Sequence, residues 1–366
     1  MIRVLNVMGG LELGGAETTV MNYYRYIDRT KVQFDFLITI DEKNYYEDEA
    51  ISLGARIFRR PMRTRNPIKN ARKLAKVLAE NPEIRTVHIH NSSSVVAIDC
   101  LIAMLRKLPI RVVHSHSALS SKSLIHRAFQ PLIRFATTHW VGCSVEAGRS
   151  MFGEKAWDCT NKAQIFMNAR DLEFFRYNPD QRQQMRKRLQ ICNQLVVIHV
   201  GRLVAPKNQT FLLEAFSQAV KTKPDMILLI AGDGELHAQL VSKASELNLS
   251  GNIRFLGMRG DIPDLLQVAD IFVLPSLYEG LPGVAIEAQA AGLPCLLSDT
   301  VSSESKITDL VGFLPINKGP EIWAERMLAY SDFNRRDTLE DVRKSGYDIR
   351  DEAKRLENFY LCQTNK

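Results

Sequence analysis

Nowhere in this sequence of 366 residues does an apolar run approach the roughly 20 residues that a bilayer-spanning helix requires. The first residues, MIRVLNVMGG, carry one charge and then a strand-like run. They lack the long apolar region and small-residue cleavage site of a secretory leader. The six cysteines (Cys100, Cys143, Cys159, Cys192, Cys295 and Cys362) are scattered, with no CxxC pair. That pattern argues against a disulfide frame and a zinc knuckle and fits reduced cytosolic thiols. No Asp-x-Asp pair occurs, so clustered carboxylates holding a nucleotide diphosphate through Mg²⁺ are not expected. Also missing are a GxxxxGK[ST] phosphate loop, a Ser–His–Asp or Cys–His arrangement evident from spacing, heptads, repeats and low-complexity tracts. The expectation is a cytoplasmic protein with neither metal nor cofactor.

What is present is a soluble-type composition, 45% hydrophobic and 24% charged, in a chain long enough for two domains. The net charge of +7 is uneven. Nine basic residues and no acid lie between Arg56 and Lys76. Such a patch suits nucleic acid, an anionic membrane or a phosphorylated substrate.

Apolar strand-like runs alternate with helical ones, which predicts parallel sheets covered on both faces. The first set of strands is Ile2 to Met8, Phe34 to Thr39, Thr86 to His90, Arg111 to His116 and Trp140 to Ser144. The second is Leu195 to Gly201, Met226 to Gly232, Ile253 to Gly257, Ile271 to Ser276 and Pro294 to Asp299. Between the sets, the polar stretch Arg176 to Arg188 reads as a crossing between domains. We therefore expect an N-terminal domain over residues 1–175 and a C-terminal domain over 176–348. A last helix, about 349–366, would pack back on the first domain. In doubly wound sheets ligands bind beyond the carboxyl ends of the strands. The expected site is thus a cleft between the two domains.

Five constellations sit at such ends. EGLPGVAIE, Glu279 to Glu287, places one carboxylate before a Gly/Pro turn and another inside the helix that follows. Helix-start amides attract phosphate and carboxylates accept from hydroxyls, a combination suited to a nucleotide sugar. GRLVAPKN, Gly201 to Asn208, offers Arg202 and Lys207 to neutralise a diphosphate; two solvated surface cations are the plainer reading. GGLELGGAE, Gly9 to Glu17, would let backbone approach a phosphate, or be a tight turn only. GDGEL, Gly232 to Leu236, is best read as a turn. His88 and His90, and again His114 and His116, alternate along strand ends. Alternation is expected to turn only one histidine of each pair to a given face, which disfavours zinc. One histidine donating to a substrate hydroxyl, or a satisfied structural histidine, are the two readings left.

Taken together, EGLPGVAIEAQAAGLP, GGAE, GR followed five residues later by Lys, and NIRFLG…ADIFVLPS resemble the retaining glycosyltransferases of family 4. Within them the chain is similar to bacterial enzymes of capsular and exopolysaccharide assembly. FMNARDLEFF, Phe166 to Phe175, is similar to the family's asparagine-containing segment, but Arg170–Asp171 stands where Ile–Asp is usual. The resemblance implies the GT-B fold, two doubly wound Rossmann-like domains facing across a cleft, and hexosyl transfer without metal. Glu287 would bind ribose hydroxyls and Glu279 the donor sugar. Gly201, the backbone of Gly280, Leu281, Pro282, Gly283 and Val284, and the side chains of Arg202 and Lys207 would hold the diphosphate. Gly14 and Gly15 would close over it, and His116 would lie near the donor sugar and acceptor. Arg202, Lys207, His116 and Glu279 form the expected catalytic set.

The implied partners are a nucleotide-diphosphate sugar and a saccharide or polyprenyl-diphosphate-linked saccharide acceptor, met at the inner face of the cell membrane, and no nucleic acid. Lys69, Arg72, Lys73 and Lys76 fall on one face of a helix from Pro67 to Ala79, with Ile68, Ala71, Leu74, Ala75 and Leu78 on the other. The cationic face is either a solvated helix surface or a peripheral membrane contact. Alternative functions are a GT-B nucleotide-sugar epimerase, a phosphorylase, for which no pyridoxal-phosphate lysine motif is found, and a catalytically inactive GT-B partner subunit.

Overall fold

A computed structural model describes residues 1–40, 42–117 and 124–364, without the side chains of 363 and 364. The chain divides into two compact units, Met1–Arg170 with Gly346–Lys366, and Asp171–Ser345. Unit 1 contains β1 (Ile2–Val7), β2 (Val32–Ile38), β3 (Ile57–Arg59), β4 (Ile84–His90), β5 (Ile110–Ser115), β6 (His139–Gly142) and β7 (Ala163–Ile165). They form one parallel sheet in the order β3-β2-β1-β4-β5-β6-β7. Unit 2 contains β8 (Val196–Val200), β9 (Ile227–Ala231), β10 (Ile253–Gly257), β11 (Ile271–Leu274), β12 (Cys295–Ser298) and β13 (Val311–Leu314). Their order is β10-β9-β8-β11-β12-β13, again parallel.

Three strands were not foreseen: β3, β7 and β13. Each is a sheet edge of three or four residues and is largely half-buried. An edge strand buries less of its surface, so no continuous apolar run marks it. The stretch expected as an interdomain crossing is instead the Pro179–Arg188 helix inside unit 2. Asn178 caps it, with its side chain accepting from the amides of Asp180 and Gln181, and Pro179 opens it. Its attachment is polar. Arg182 donates to the carbonyls of Gln267, Val268 and Ala269, and both Arg182 and Arg186 pair with Asp270. A helix held this way shows no apolar stripe to detect.

Alternation along the unit 1 strands feeds two cores. Val4, Phe34, Phe36 and Val112 face the helices Gly15–Tyr26 and Ile349–Thr364. Leu5, Leu37, Val87 and Val113 face the helices Pro67–Glu80, Ala97–Leu105 and Leu124–Ala136. The Pro67–Glu80 helix buries Leu74, Val77 and Leu78 as its period requires. Ile68, expected on the buried face, is 64% exposed, because it lies in the first turn, ahead of the sheet contact. Asn70 is buried in its stead, donating to the carbonyl of Pro61.

The final helix belongs to unit 1, and residues 365 and 366 lie outside the described residues. Ile349, Leu356, Phe359 and Tyr360 enter the first core, where Tyr360 meets Phe34 edge-on. Arg170 anchors the returning chain. Its amide donates to the carbonyl of Tyr347, and its own carbonyl accepts from Ile349. Its buried guanidinium donates to the carbonyls of Asn168 and Ala169. The unusual residue of the FMNARD segment is thus a structural clamp. Deleting residues from Ile349 onward removes four large buried side chains, on the order of 8 kcal/mol of apolar burial. That rivals a typical domain's whole stability of about 5–15 kcal/mol. The truncated chain should show unit 1 cleaved by limited proteolysis under conditions that leave the full chain intact.

Candidate functional site

In unit 2 the strand order reverses between β8 and β11, which are neighbours although β9 and β10 lie to one side and β12 and β13 to the other. Loops leaving such a switch point diverge and leave room beyond the strand ends. Here they are tied back together. The amide of Leu277 donates to the carbonyl of Pro206 at 2.8 Å. This brings Lys207 onto Glu279, and the two side chains form an ion pair, 17% and 22% exposed. Ser276 Oγ lies 3.4 Å from the same carboxylate oxygen. Glu279 is fixed through its backbone as well, bridging to Val301 and accepting from the amide of Ser302.

The Gly283–Ala290 helix starts directly after Pro282, and no side chain caps it. Its amides therefore retain the positive end of the helix dipole. Ala285, Ile286, Ala288, Gln289 and Ala290 are buried, while Glu287 is half-buried. The far end of the helix is clamped. Thr338 Oγ1 donates to the carbonyl of Gln289, and half-buried Arg335 donates to that of Ala291 and to the carbonyls of Leu266, Gln267 and Ala269. Burial lowers the Arg335 guanidinium to about 9.

Arg202 is exposed, and its side chain has no bonded partner among the described residues. Its carbonyl is held by Gln209 Nε2 at 2.8 Å. Gln209 also donates to His199 Nε2 at 3.2 Å, while His199 Nδ1–H donates to the carbonyl of Val273. Burial lowers His199 to about 4, so the ring is neutral and this tautomer is fixed. His199 and Gln209 escaped sequence reasoning; the only signal was a histidine inside the apolar strand VVIHV. The GDG turn acts as expected. Gly232 has φ +137°, and a Cβ there would meet the carbonyl oxygen of Gly201 at 2.0 Å. Its glycines let this turn pack under the Arg202 loop.

In unit 1, Gly14 and Gly15 open the Gly15–Tyr26 helix beyond β1, beside the switch between β1 and β4. Neither has positive φ. A Cβ on Gly15 would meet nothing within 4 Å, so its backbone is open, whereas one on Gly10 would strike Ile40 and Asn44.

The histidines correct the expectation from alternation. Residues two apart in a strand share a face. His88, His90, His114 and His116 all lie on the face covered by the first and last helices, three ring pairs stacked and two tilted, at centroid distances of 4.0 to 5.6 Å. His88 Nδ1 meets the Tyr360 hydroxyl at 2.5 Å. His90 Nε2–H donates to Asn6 Oδ1, and its Nδ1 faces His116 Nε2 at 2.9 Å. His116 Nδ1 meets the Asn168 amide at 3.2 Å. Both nitrogens of His116 are therefore engaged within unit 1. Ring nitrogens of His88, His90 and His114 come within 4.8 Å of one another. Both ring nitrogens of His90, however, are already engaged, by Asn6 and His116, whereas a zinc ion needs open nitrogens converging at about 2.0–2.1 Å. The Nε2 atoms of His88 and His114, without a hydrogen-bond partner among the described residues, belong to rings that border a cavity of about 10 Å³, the size of one water.

Burial drives all four pKa values down, His116 to about 4 and the others well below their usual value. A folded pKa below the unfolded one, about 6.5, favours the neutral form. The associated stability is complete above pH 6.5 and is lost as pH falls from there toward 4. Each histidine contributes a slope of up to about 1.4 kcal/mol per pH unit. Urea denaturation should show unit 1 losing several kcal/mol between pH 7 and pH 5, and His114→Asn should reduce that loss by about 2 kcal/mol.

Residues 180–347 match the family described as glycosyl transferases group 1. The chain is 34% identical over 376 aligned positions to the putative glycosyltransferase EpsF of Bacillus subtilis (strain 168), covering 100% of this chain and 97% of that protein. It is 30% identical to the UDP-Gal:alpha-D-GlcNAc-diphosphoundecaprenol alpha-1,3-galactosyltransferase of Escherichia coli, covering 73% and 72% of the two chains. Among solved structures, Anabaena Alr3699/HepE in complex with UDP superposes with a TM-score of 0.79 at 18% identity, covering 99% and 100%. The fold is thus that of the GT-B glycosyltransferases. With both sheets built on the same doubly wound plan and full-length kinship to EpsF, the chain belongs to the group 1 glycosyltransferases and is a glycosyltransferase.

Proposed function

We propose that this enzyme is a retaining, metal-independent family 4 glycosyltransferase. It moves a sugar from a nucleotide-diphosphate donor to a lipid-linked saccharide in bacterial surface polysaccharide synthesis, working at the inner face of the cell membrane. The observation that carries the reading is the grouping at the unit 2 switch point. A half-buried Lys207–Glu279 pair, exposed Arg202 and a helix start free of side-chain caps share one strand edge. Support for the donor comes from the UDP and UDP-glucose complexes of HepE. Support for the acceptor comes from the diphosphoundecaprenol-linked substrate named for the Escherichia coli relative.

As the anomeric C–O bond breaks, its electron pair passes to the leaving diphosphate. Lys207, Arg202 and the amides opening the Gly283–Ala290 helix would stabilise that charge more in the transition state than before it. Glu279, which pairs with Lys207, would orient that lysine and accept from a sugar hydroxyl. Glu287, one turn into the helix, would accept from the ribose. The leaving phosphate would take the acceptor's proton on the same face, giving retention. The roles of Gly14, Gly15 and His116 rest on the family resemblance.

In a thermal-shift screen, a nucleoside diphosphate at a hundredfold excess over its dissociation constant should stabilise the protein by about 2.7 kcal/mol. A flat screen across nucleotides and nucleotide sugars would refute the reading. Glu287→Ala should weaken that shift. Lys207→Ala should lower transfer to a lipid-linked acceptor by about 10²–10³; unaltered transfer removes the lysine from the mechanism.

A further inference from the structure

We propose that Ser298 is a positioning residue for glycosyl transfer, acting through the peptide bond between Ser276 and Leu277 to set the Lys207–Glu279 pair. The amide of that bond is the one that donates to the carbonyl of Pro206 and ties the β11 loop to the β8 loop. Its carbonyl is held from a third side, the end of β12. Ser298 Oγ donates to it, and Thr300 Oγ1 lies 2.7 Å from it and 2.7 Å from Ser298 Oγ. A trans peptide is planar, with its C=O and N–H pointing opposite ways. One plane is thus pinned at both edges, and turning it breaks both contacts at once. A carbonyl polarised by a hydroxyl also makes the N–H of the same bond a stronger donor.

Main-chain pairing cannot fix this peptide. The β11–β12 ladder ends at Leu274 and Leu297, and Pro275 has no amide with which to extend it. Beyond that point side-chain hydroxyls replace main-chain donors. The same short segment reaches Glu279, since the amide of Ser302 donates to its carbonyl and Val301 bridges to it. Residues 298–302 therefore run beside residues 276–279 and hold both ends of the loop that carries the carboxylate. Their own course is fixed in turn. The amide of Asp299 donates to the carbonyl of Leu314, and that of Val301 to the carbonyl of Ser298.

Ser276 and Ser298 are fully buried, so water does not stand in for the Ser298 hydroxyl, whereas Thr300 is exposed. A tilt of the peptide would release Pro206, the neighbour of Lys207, and shift Glu279, three residues further on. The hydroxyls are neutral, so they fix geometry without adding charge beside the ion pair. That this geometry governs transfer rests on the function proposed above; the brace itself does not.

Hydrogen exchange and kinetics on the full chain test the two parts separately. In Ser298→Ala the Leu277 amide should exchange at least about tenfold faster than in wild type, because the peptide has lost its second anchor. Turnover is followed as nucleoside diphosphate release from UDP-glucose, UDP-N-acetylglucosamine and GDP-mannose in turn, with extracted undecaprenyl-linked saccharides as acceptor. With the donor that is used, Ser298→Ala should lower kcat and kcat/KM alike by about 10–10², leaving KM for the donor unchanged. Added to Lys207→Ala it should cost nothing further, since the lysine it positions is gone. Ser298→Cys keeps nearly the same shape with a weaker donor and should show smaller changes of both kinds; it carries the test if Ser298→Ala does not fold. Wild-type exchange at Leu277, wild-type kcat, a change in KM alone, or the same fold loss of kcat with and without Lys207 would overturn the positioning role. No turnover of any donor by the wild type, with exchange raised in the variant, would uphold the brace and sink the donor assignment instead.

Discussion

The arrangement in unit 2 depends on one constraint, the tie between two loops that a doubly wound sheet drives apart. Reversal of strand order sends the chain away from β8 and β11 in opposite directions. The hydrogen bond from Leu277 to Pro206 closes that gap at one point, and the Lys207–Glu279 pair forms beside it. A cation fixed by a carboxylate on a rigid loop needs little reorganisation to meet a developing negative charge, which is the usual source of electrostatic catalysis. The supports behind it are neutral. His199 and Gln209 hold the Arg202 loop through hydrogen bonds, adding no charge near the two cations.

A second theme is the use of guanidinium groups to close the ends of elements. Arg182 and Arg335 each reach three or more backbone carbonyls, at the end of the Ile262–Val268 helix and, for Arg335, also just past the Gly283–Ala290 helix. Carbonyls at helix ends lack partners within the helix and carry its negative pole, so a fixed fork of donors satisfies several at once. Arg335 accepts the loss of hydration this entails, as its lowered pKa shows. The result fixes the far end of the Gly283–Ala290 helix and so its opening turn.

Unit 1 keeps its unpaired charge away from its histidines. Its unpaired cations lie on the outside of the helices over one face, its buried charges are compensated in the Asp35 and Asp99 ion pairs, and four histidines lie uncharged beneath the helices over the other face. Stacking of the rings is compatible with burial only when they are neutral, since like charges about 4 Å apart in a poorly solvated interior repel strongly. Tyr360 and Asn6 complete the arrangement by engaging ring nitrogens, and Tyr360 comes from the far end of the chain.

The sequence by itself determined the two alternating sets of elements, because a buried parallel strand reads as an apolar run. It also marked the EGLPGVAIE turn and the GDG turn, where glycine and proline are imposed by local backbone geometry. It did not reveal β3, β7 and β13, whose edges are half-wet, nor the Pro179–Arg188 helix, whose anchors are arginines. The histidines were visible as residues but misread as facing apart, though period-two alternation places them together. Only the tertiary structure decided which distant groups meet: Lys207 with Glu279, Gln209 with His199, Tyr360 with His88. Such pairings depend on strand register and on the path of the chain between sheets, and no local pattern of residues encodes either.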